Sequence, residues 1–260
     1  MGERTQYSPG TFSWADLDTD DQEGAKRFYS ELFGWEVTDR PVGEGVVYSM
    51  AAIDGRWVAA ISPQREQERD AGAPPAWNSY LTVDDVDEAA AQAAQLGATV
   101  HAGPFDVTDA GRMAVIQDPQ GAWVMLWQAV SHVGAGLVNA PGALCWNELG
   151  SPDPDSSARF YGALFGWTVT PMEGADPPYL VVTTAAGTTN GGIRPPAPPG
   201  TPPFWLVYFA TAELESSLAT VRELGGSILV GATDIGIAKI AVVADPQGAV
   251  FALYEGSLDP

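Results

Sequence analysis

The chain has 260 residues, and 33 acidic side chains against 12 basic ones give a net charge of -21, which repels a phosphate backbone and excludes nucleic acid as an expected partner. Its single cysteine, Cys145, excludes an internal disulfide and any CxxC metal or redox site. No apolar run approaches the roughly 20 residues of a membrane span and MGERTQYSPG lacks the basic-then-apolar pattern of a secretory signal, so a soluble, cytoplasmic protein with no membrane partner is expected.

In chain order, the first expected element is a short strand at Ser13 to Leu17, followed by a helix from about Asp21 to Phe33. The helix stops at Gly34, where a glycine can take the left-handed cap conformation. Three β-patterned runs follow, Trp35 to Thr38, Val46 to Ile53 and Trp57 to Ser62, and then the loop PQREQERDAGAPP. After it the order recurs. A strand at Trp77 to Val83 leads to a helix near Val86 to Leu96, with Asp85 as N-cap, Glu88 three residues on and Gly97 as its stop. Strands around Ala98 to His101, Arg112 to Gln117 and Ala122 to Gln128 complete the series. The unit is β-α-β-β-β, used twice.

The remainder repeats the first half. Phe12 to Thr38 aligns without a gap to Leu144 to Thr170, including RFYSELFGWEVT against RFYGALFGWTVT. PPAWNSYLTV (Pro74 to Val83) answers PPFWLVYFAT (Pro202 to Thr211), and DPQGAWVMLW (Asp118 to Trp127) answers DPQGAVFALY (Asp245 to Tyr254). The chain is a tandem duplication: an α+β protein of four βαβββ units forming two curled-sheet cups. The boundaries are expected at 1–130 for the first domain, 131–141 for a linker rich in small residues, and 142–260 for the second. Each copy is expected to hold its own cup, and a fragment Met1 to Val133 is expected to fold but to be less stable, because truncation exposes apolar surface at the copy interface.

Side chains alternate across a strand, which separates core residues from cup residues. Leu17, Trp77, Leu81 and Val83 suit the helix-packed face, while Trp14, Asp16, Asn78, Tyr80 and Thr82 suit the cup. Trp123, Met125 and Trp127 share a face on the last strand. Trp14, Tyr80, Met125 and Trp127 in one cup, and Trp146, Tyr208 and Tyr254 in the other, are expected to form aromatic walls. Such walls suit a flat or bulky organic ligand, or they fill the barrels. Asp16 and Glu148 occupy the same strand position in the two copies. A carboxylate among tryptophans has a raised pKa that suits acid or base work, unless it is a scaffold partner of Arg112, Arg159 or Lys239. Arg112 and Lys239, at matching places before the DPQG turns, are candidates to bind a carboxylate or enolate oxygen, or are salt-bridge partners. His101 and His132 read as surface or packing residues. The loop Gln64 to Ala73 reads as a solvated linker or a lid.

FYSELFGW and FYGALFGW after each first strand, WNSYLTVDDV opening a second unit, and both DPQG turns resemble the vicinal oxygen chelate superfamily of glyoxalases, bleomycin-binding proteins and extradiol dioxygenases. The resemblance covers essentially the whole chain and is similar in detail to two-domain actinobacterial glyoxalase-like proteins, some labelled hydroxylases. It implies a divalent metal held by His or Glu, but the matching positions here hold Trp14, Asn78 and Met125 in the first copy and Trp146, Leu206 and Ala252 in the second. The fourth position falls among Val58 to Ile61 and Gly191 to Ile193. No metal or cofactor is therefore expected. Two readings follow. One is a metal-independent protein moving a proton on a small aromatic or polyketide-like metabolite, in isomerisation, cyclisation, hydration or assisted hydroxylation, with Asp16 and Glu148 as the catalytic candidates. The other is a non-catalytic protein that binds or sequesters a small molecule. Either a monomer or a homodimer fits both.

Overall fold

The computed structural model describes residues 2–43, 45–196, 198 and 200–258, except for the side chain of Asn190. The first copy runs β1 (Gly2–Glu3), β2 (Phe12–Thr19), α1 (Gln22–Phe33), β3 (Glu36–Gly43), β4 (Val46–Ile53), β5 (Arg56–Pro63), α2 (Glu66–Asp70), β6 (Ala76–Thr82), α3 (Val86–Gln95), β7 (Thr99–Val107), β8 (Gly111–Gln117) and β9 (Trp123–Ala129). The short β10 (Leu137–Val138) lies in the join. The second copy runs β11 (Leu144–Gly150), α4 (Pro154–Phe165), β12 (Thr168–Pro171), β13 (Leu180–Thr183), β14 (Thr189–Arg194), β15 (Phe204–Ala210), α5 (Leu214–Glu223), β16 (Ser227–Asp234), β17 (Ala238–Ala244) and β18 (Val250–Gly256).

Local chemistry sets the helix ends. The Asp21 carboxylate accepts from the Gly24 N–H at 2.9 Å, Asp85 from Glu88 at 3.0 Å and Asp153 from Ser156 at 2.9 Å, each satisfying an otherwise unpaired first-turn donor. Gly34 closes α1 at φ 71°, a left-handed conformation that favours glycine. At α5, Glu213 provides no cap, and Glu255 of β18 accepts from the Leu214 N–H at 2.7 Å instead.

Each copy forms one curled eight-stranded sheet, in the order β3-β4-β5-β2-β6-β9-β8-β7 and then β12-β13-β14-β11-β15-β18-β17-β16. The two units of a copy meet where β2 runs antiparallel to β6, with Asp16 opposite Asn78, and where β11 runs antiparallel to β15, with Glu148 opposite Leu206. β3 and β7 run several residues beyond the expected Trp35 to Thr38 and Ala98 to His101. Their distal ends are largely exposed, so no apolar alternation marks them. The loop after β5 contains α2, with the Glu68 carboxylate accepting from the Arg65 N–H at 3.0 Å.

The helix-covered cores, unlike the sheets, draw on both copies. One core joins Leu17, Phe28, Tyr29, Trp35 and Trp77 of the first copy to Phe209, Leu214, Leu218 and Phe251 of the second. The other joins Leu81, Val86, Ile116 and Leu126 to Phe160, Tyr161, Trp167 and Trp205. Two reciprocal hydrogen-bond chains run through them. Trp77 Nε1 donates to Tyr29 Oη at 3.0 Å, and Tyr29 donates to Asp245 of the second DPQG turn at 3.0 Å. Trp205 donates to Tyr161 at 3.0 Å, and Tyr161 donates to Asp118 of the first DPQG turn at 2.9 Å. Trp35 caps Gly142 O and Trp167 caps Gly10 O, both at 2.8 Å.

A fragment ending near Val133 would contain every strand of the first sheet but lack the partner half of both cores, exposing a large apolar face. The join is also more than a spacer. Ala135 and Val138 pack into the first cup, and Leu137 and Ala140 into a shared core. Gly134, at φ 116°, lies so close to Ser13 that a Cβ would sit 2.4 Å from the Ser13 carbonyl oxygen, which only glycine permits.

Candidate functional site: an acid network in each cup

In the first cup, strand alternation places Trp14, Asp16 and Asp18 on the inner face of β2. Asp16 is almost fully buried. Its Oδ2 accepts from Tyr48 Oη at 2.8 Å and Tyr80 Oη at 2.7 Å, and its Oδ1 from Asn78 Nδ2 at 3.0 Å. The same amide nitrogen donates to Asp18 Oδ2 at 2.8 Å, and Trp14 Nε1 donates to Tyr48 Oη at 3.0 Å. Burial raises the Asp16 pKa, opposed by the donors from Tyr80, Asn78 and Tyr48 and by Arg65. Burial and then the Asp16 charge push Asp18 up to about 8. Two adjacent carboxyls cannot both ionise cheaply. The three donors on Asp16 offset part of the burial that raises its pKa, and the two carboxyls together hold a proton at neutral pH. The Tyr48 and Tyr80 hydroxyls, raised well above the ordinary phenol range by burial and then by Asp16, remain proton donors.

Apolar walls enclose this network. Trp14, Met50, Tyr80, Met113 and Trp127 pack together, with Trp57 and Met125 partly buried against them. The join inserts His132 edge-on to Trp14, with ring centroids 4.6 Å apart, and 6.0 Å from Trp127. Burial and then Arg40 bring the His132 pKa down to about 4. The imidazole is neutral at pH 7, and among the described residues its buried Nε2 has no hydrogen-bond partner.

The second cup repeats the motif and changes its charge. Trp146 Nε1 donates to Tyr179 Oη at 2.9 Å, and the Glu148 charge, after burial, raises the Tyr179 and Tyr208 hydroxyls above the ordinary phenol range. In place of a second acid, Arg194 Nε donates to Glu148 Oε1 at 2.6 Å. Gly192 makes room for this network, because a Cβ there would fall 2.0 Å from Tyr179 Oη. Leu206, Tyr208 and Ala252 form the buried floor, with Trp146 and Tyr254 partly buried beside them.

The structure thus gathers Trp14, Asp16, Asn78, Tyr80, Met125 and Trp127 in one cup, and Trp146, Glu148, Tyr208 and Tyr254 in the other. Arg112 and Lys239 require correction, since neither belongs to a cup. Arg112 shares its strand face with the core residues Ala114 and Ile116 and forms ion pairs with Asp87 and with Asp106, the latter at 2.8 Å. Lys239 shares its face with Ala241 and Val243 and pairs with Glu255 at 3.0 Å. Among the described residues, the cation bonded to the buried acid of a cup is Arg194. Sequence reasoning missed Asp18, Tyr48, Tyr179, Arg194 and the buried position of His132. For Asp18 a signal existed, since it lies two residues from Asp16 on the same strand. A surface hollow of about 480 Å³ lined by Lys26, Arg27, Ser30 and Glu31 lies on α1, away from both cups.

The residues present do not fit the metal that the resemblance implies. A divalent first-row ion needs imidazole, thiolate or clustered carboxylate donors. Trp14 and Trp146 offer indole N–H groups already donated to tyrosines, Asn78 turns its amide nitrogen to the two acids, and Leu206 and Ala252 offer no donor atom. Among the described residues, no group of three His, Cys, Asp or Glu side chains is placed to hold an ion.

CFP32 of Mycobacterium tuberculosis is 44% identical over 257 residues, covering 98% of both chains. The anthracycline biosynthesis protein DnrV of Streptomyces peucetius is 31% identical, covering 96% of this chain and 95% of that protein. Among solved structures, the Mn(II)-bound glyoxalase of Novosphingobium aromaticivorans superposes with a TM-score of 0.65 at 16% identity, covering 95% of this chain and 82% of that one. The 2,3-dioxygenase LapB of Pseudomonas sp. KL28 gives 0.65 at 15% identity, covering 98% and 95%. The model of the Glyoxalase/Bleomycin resistance protein/Dioxygenase superfamily matches residues 11–126 and again 144–253, and with both βαβββ pairs in place the chain belongs to that superfamily as a tandem two-domain member.

Proposed function

We propose that the first cup moves a proton on a small aromatic or polyketide-like metabolite without a metal ion, and that the Asp16–Asp18 pair is its acid–base group. The observation that carries this reading is the single Asn78 nitrogen bonded to both carboxyls inside a wall of tryptophans. A carboxyl pair that shares one proton has a proton to give and a site to receive one, with a pKa near the working pH. Tyr48 and Tyr80 hold the Asp16 carboxylate in place, and the aromatic walls suit a flat ring system. The ligand class is supported by the likeness to a protein described as acting in anthracycline biosynthesis. In the second cup Arg194 neutralises Glu148, which suits binding or scaffolding better than proton transfer.

A second reading, sequestration without reaction, needs only the aromatic walls of the first cup. One experiment separates the two. Purified protein is incubated in D₂O with a panel of polyhydroxylated aromatic ketones and followed by proton NMR, with and without EDTA. Loss of a substrate C–H signal that EDTA leaves untouched, and that disappears in Asp16→Asn, supports proton transfer. Tryptophan quenching without any exchange supports sequestration. Exchange abolished by EDTA and restored by a divalent ion contradicts both metal-free readings.

A further inference from the structure

Among the described residues, two buried polar atoms on the walls of the first cup have no hydrogen-bond partner, His132 Nε2 and Thr82 Oγ1. Thr82 follows Tyr80 on the inner face of β6, with Trp127 as its partner across the β6–β9 pair. His132 meets both Trp14 and Trp127. The main chain fixes its place: the His132 N–H donates to Ala110 O at 3.0 Å, and its carbonyl oxygen accepts from Trp127 Nε1 at 2.9 Å. The ring Nε2 contributes nothing to that anchoring. A buried polar atom left unpaired costs stability, and a phenylalanine ring would fill a similar space without that cost.

Positive charge lies beside this wall. Arg40 is the cross-strand partner of Tyr48, so the two side chains leave the sheet on the same face. Its guanidinium carbon lies 5.1 Å from the centroid of the Trp57 ring, and Trp57 packs against the aromatic cluster of the cup. Among the described residues Arg40 makes no ion pair, and its charge is felt at His132. A guanidinium laid over an indole keeps its in-plane N–H donors for another partner.

We propose that His132 and Arg40 form a specificity subsite of the first cup, where the His132 Nε2–H and the Arg40 charge together take an ionised oxygen, a carboxylate or acidic phenol, on a flat aromatic ligand. The inference rests on the reading of this cup as the site for a small aromatic metabolite. A neutral imidazole presents either a donor or an acceptor at Nε2, and an ionised oxygen selects the donor tautomer. That oxygen is repelled by the Asp16–Asp18 pair and attracted by Arg40. The subsite therefore orients the ring system, with its anionic end directed away from the acids. The Thr82 hydroxyl, able to donate or accept, offers a further contact to the same ligand.

The test is isothermal titration calorimetry of the full chain, in EDTA, with 2-naphthoate and its neutral amide, 2-naphthamide. The acid should bind about 10-fold or more tightly than the amide, the scale of a hydrogen bond to a charged group. His132→Phe and His132→Leu, which remove the nitrogen and keep an apolar filling, should bring the two probes within about 2-fold of each other. His132→Gln, which restores a donor, should recover part of the difference. Arg40→Met keeps an apolar stem over Trp57 and should reduce the difference severalfold. Thermal melts report folding, and His132→Phe should melt no lower than wild type, because it deletes an unpaired buried atom. Equal affinities in wild type, no binding of the acid at about 1 mM, or an advantage that survives both removals of the nitrogen overturns the proposal. Proton exchange that persists while acid and amide bind alike fails this inference alone. An acid preference with no exchange on any substrate leaves it standing and fails the proton-transfer reading.

Discussion

Asp16 and Asp18 leave the same strand toward the same side, and Asn78 bonds to both. An Asp18 pKa of about 8 against an unfolded value of about 3.9 means that the folded protein retains a proton that the unfolded chain has released. The associated stability is fully present below about pH 4 and is lost as pH rises through about 8. Wild-type melting temperature should therefore decline from about pH 5 to pH 9, and Asp18→Asn should flatten that decline. Thermal melts across the range check this, and an unchanged slope in the variant would remove Asp18 from the proton-holding pair. In the second copy the corresponding residue is Gly150 and the opposing partner is Leu206, so the same backbone holds one acid and an arginine. Gly192→Ala should push the Tyr179 hydroxyl off Trp146 Nε1, visible as a change in the Trp146 fluorescence environment, because the added methyl occupies the hydroxyl's place.

At the scale of elements, the tyrosine of each FY pair is tied to the DPQG aspartate of the other copy. Tyr29→Phe or Tyr161→Phe removes one hydroxyl that both receives a Trp N–H and donates to a buried carboxylate. Each should cost about 1–3 kcal/mol by chemical denaturation; a loss below a few tenths would contradict the bridging role. The four βαβββ units and the inner face of β2 were legible because period-two alternation and helix caps are local signals. The assignments of Arg112 and Lys239 to a cup failed on the same rule, since alternation in β8 and β17 puts both on the helix side with Ala114 and Ala241. Tyr48, Tyr179 and Arg194 were not legible, because they reach Asp16 or Glu148 from neighbouring strands and loops whose register only the folded sheet sets. The sharing of cores between copies was also hidden. A repeat identifies equivalent units without saying which of them pack together.

Across the whole molecule, the duplicated motifs act as reciprocal clamps, and the cups inside the two sheets are free to diverge. Residues 1–133 and 134–260 expressed separately should each lack near-UV aromatic dichroism and regain it on mixing, because each core needs side chains from both halves. Native spectra from either half alone would contradict the shared-core account. The divergence of the cups is the central claim, and it is tested most directly by comparing Asp16→Asn with Glu148→Gln in one exchange or turnover assay. Each amide keeps the shape and one accepting oxygen and removes the ionisable group. The account predicts that Asp16→Asn lowers the rate by about 10²- to 10⁴-fold with little change in ligand affinity, while Glu148→Gln leaves the rate within a few-fold of wild type. Equal effects of the two substitutions, or an Asp16→Asn protein that melts lower yet reacts as fast as wild type, would contradict it.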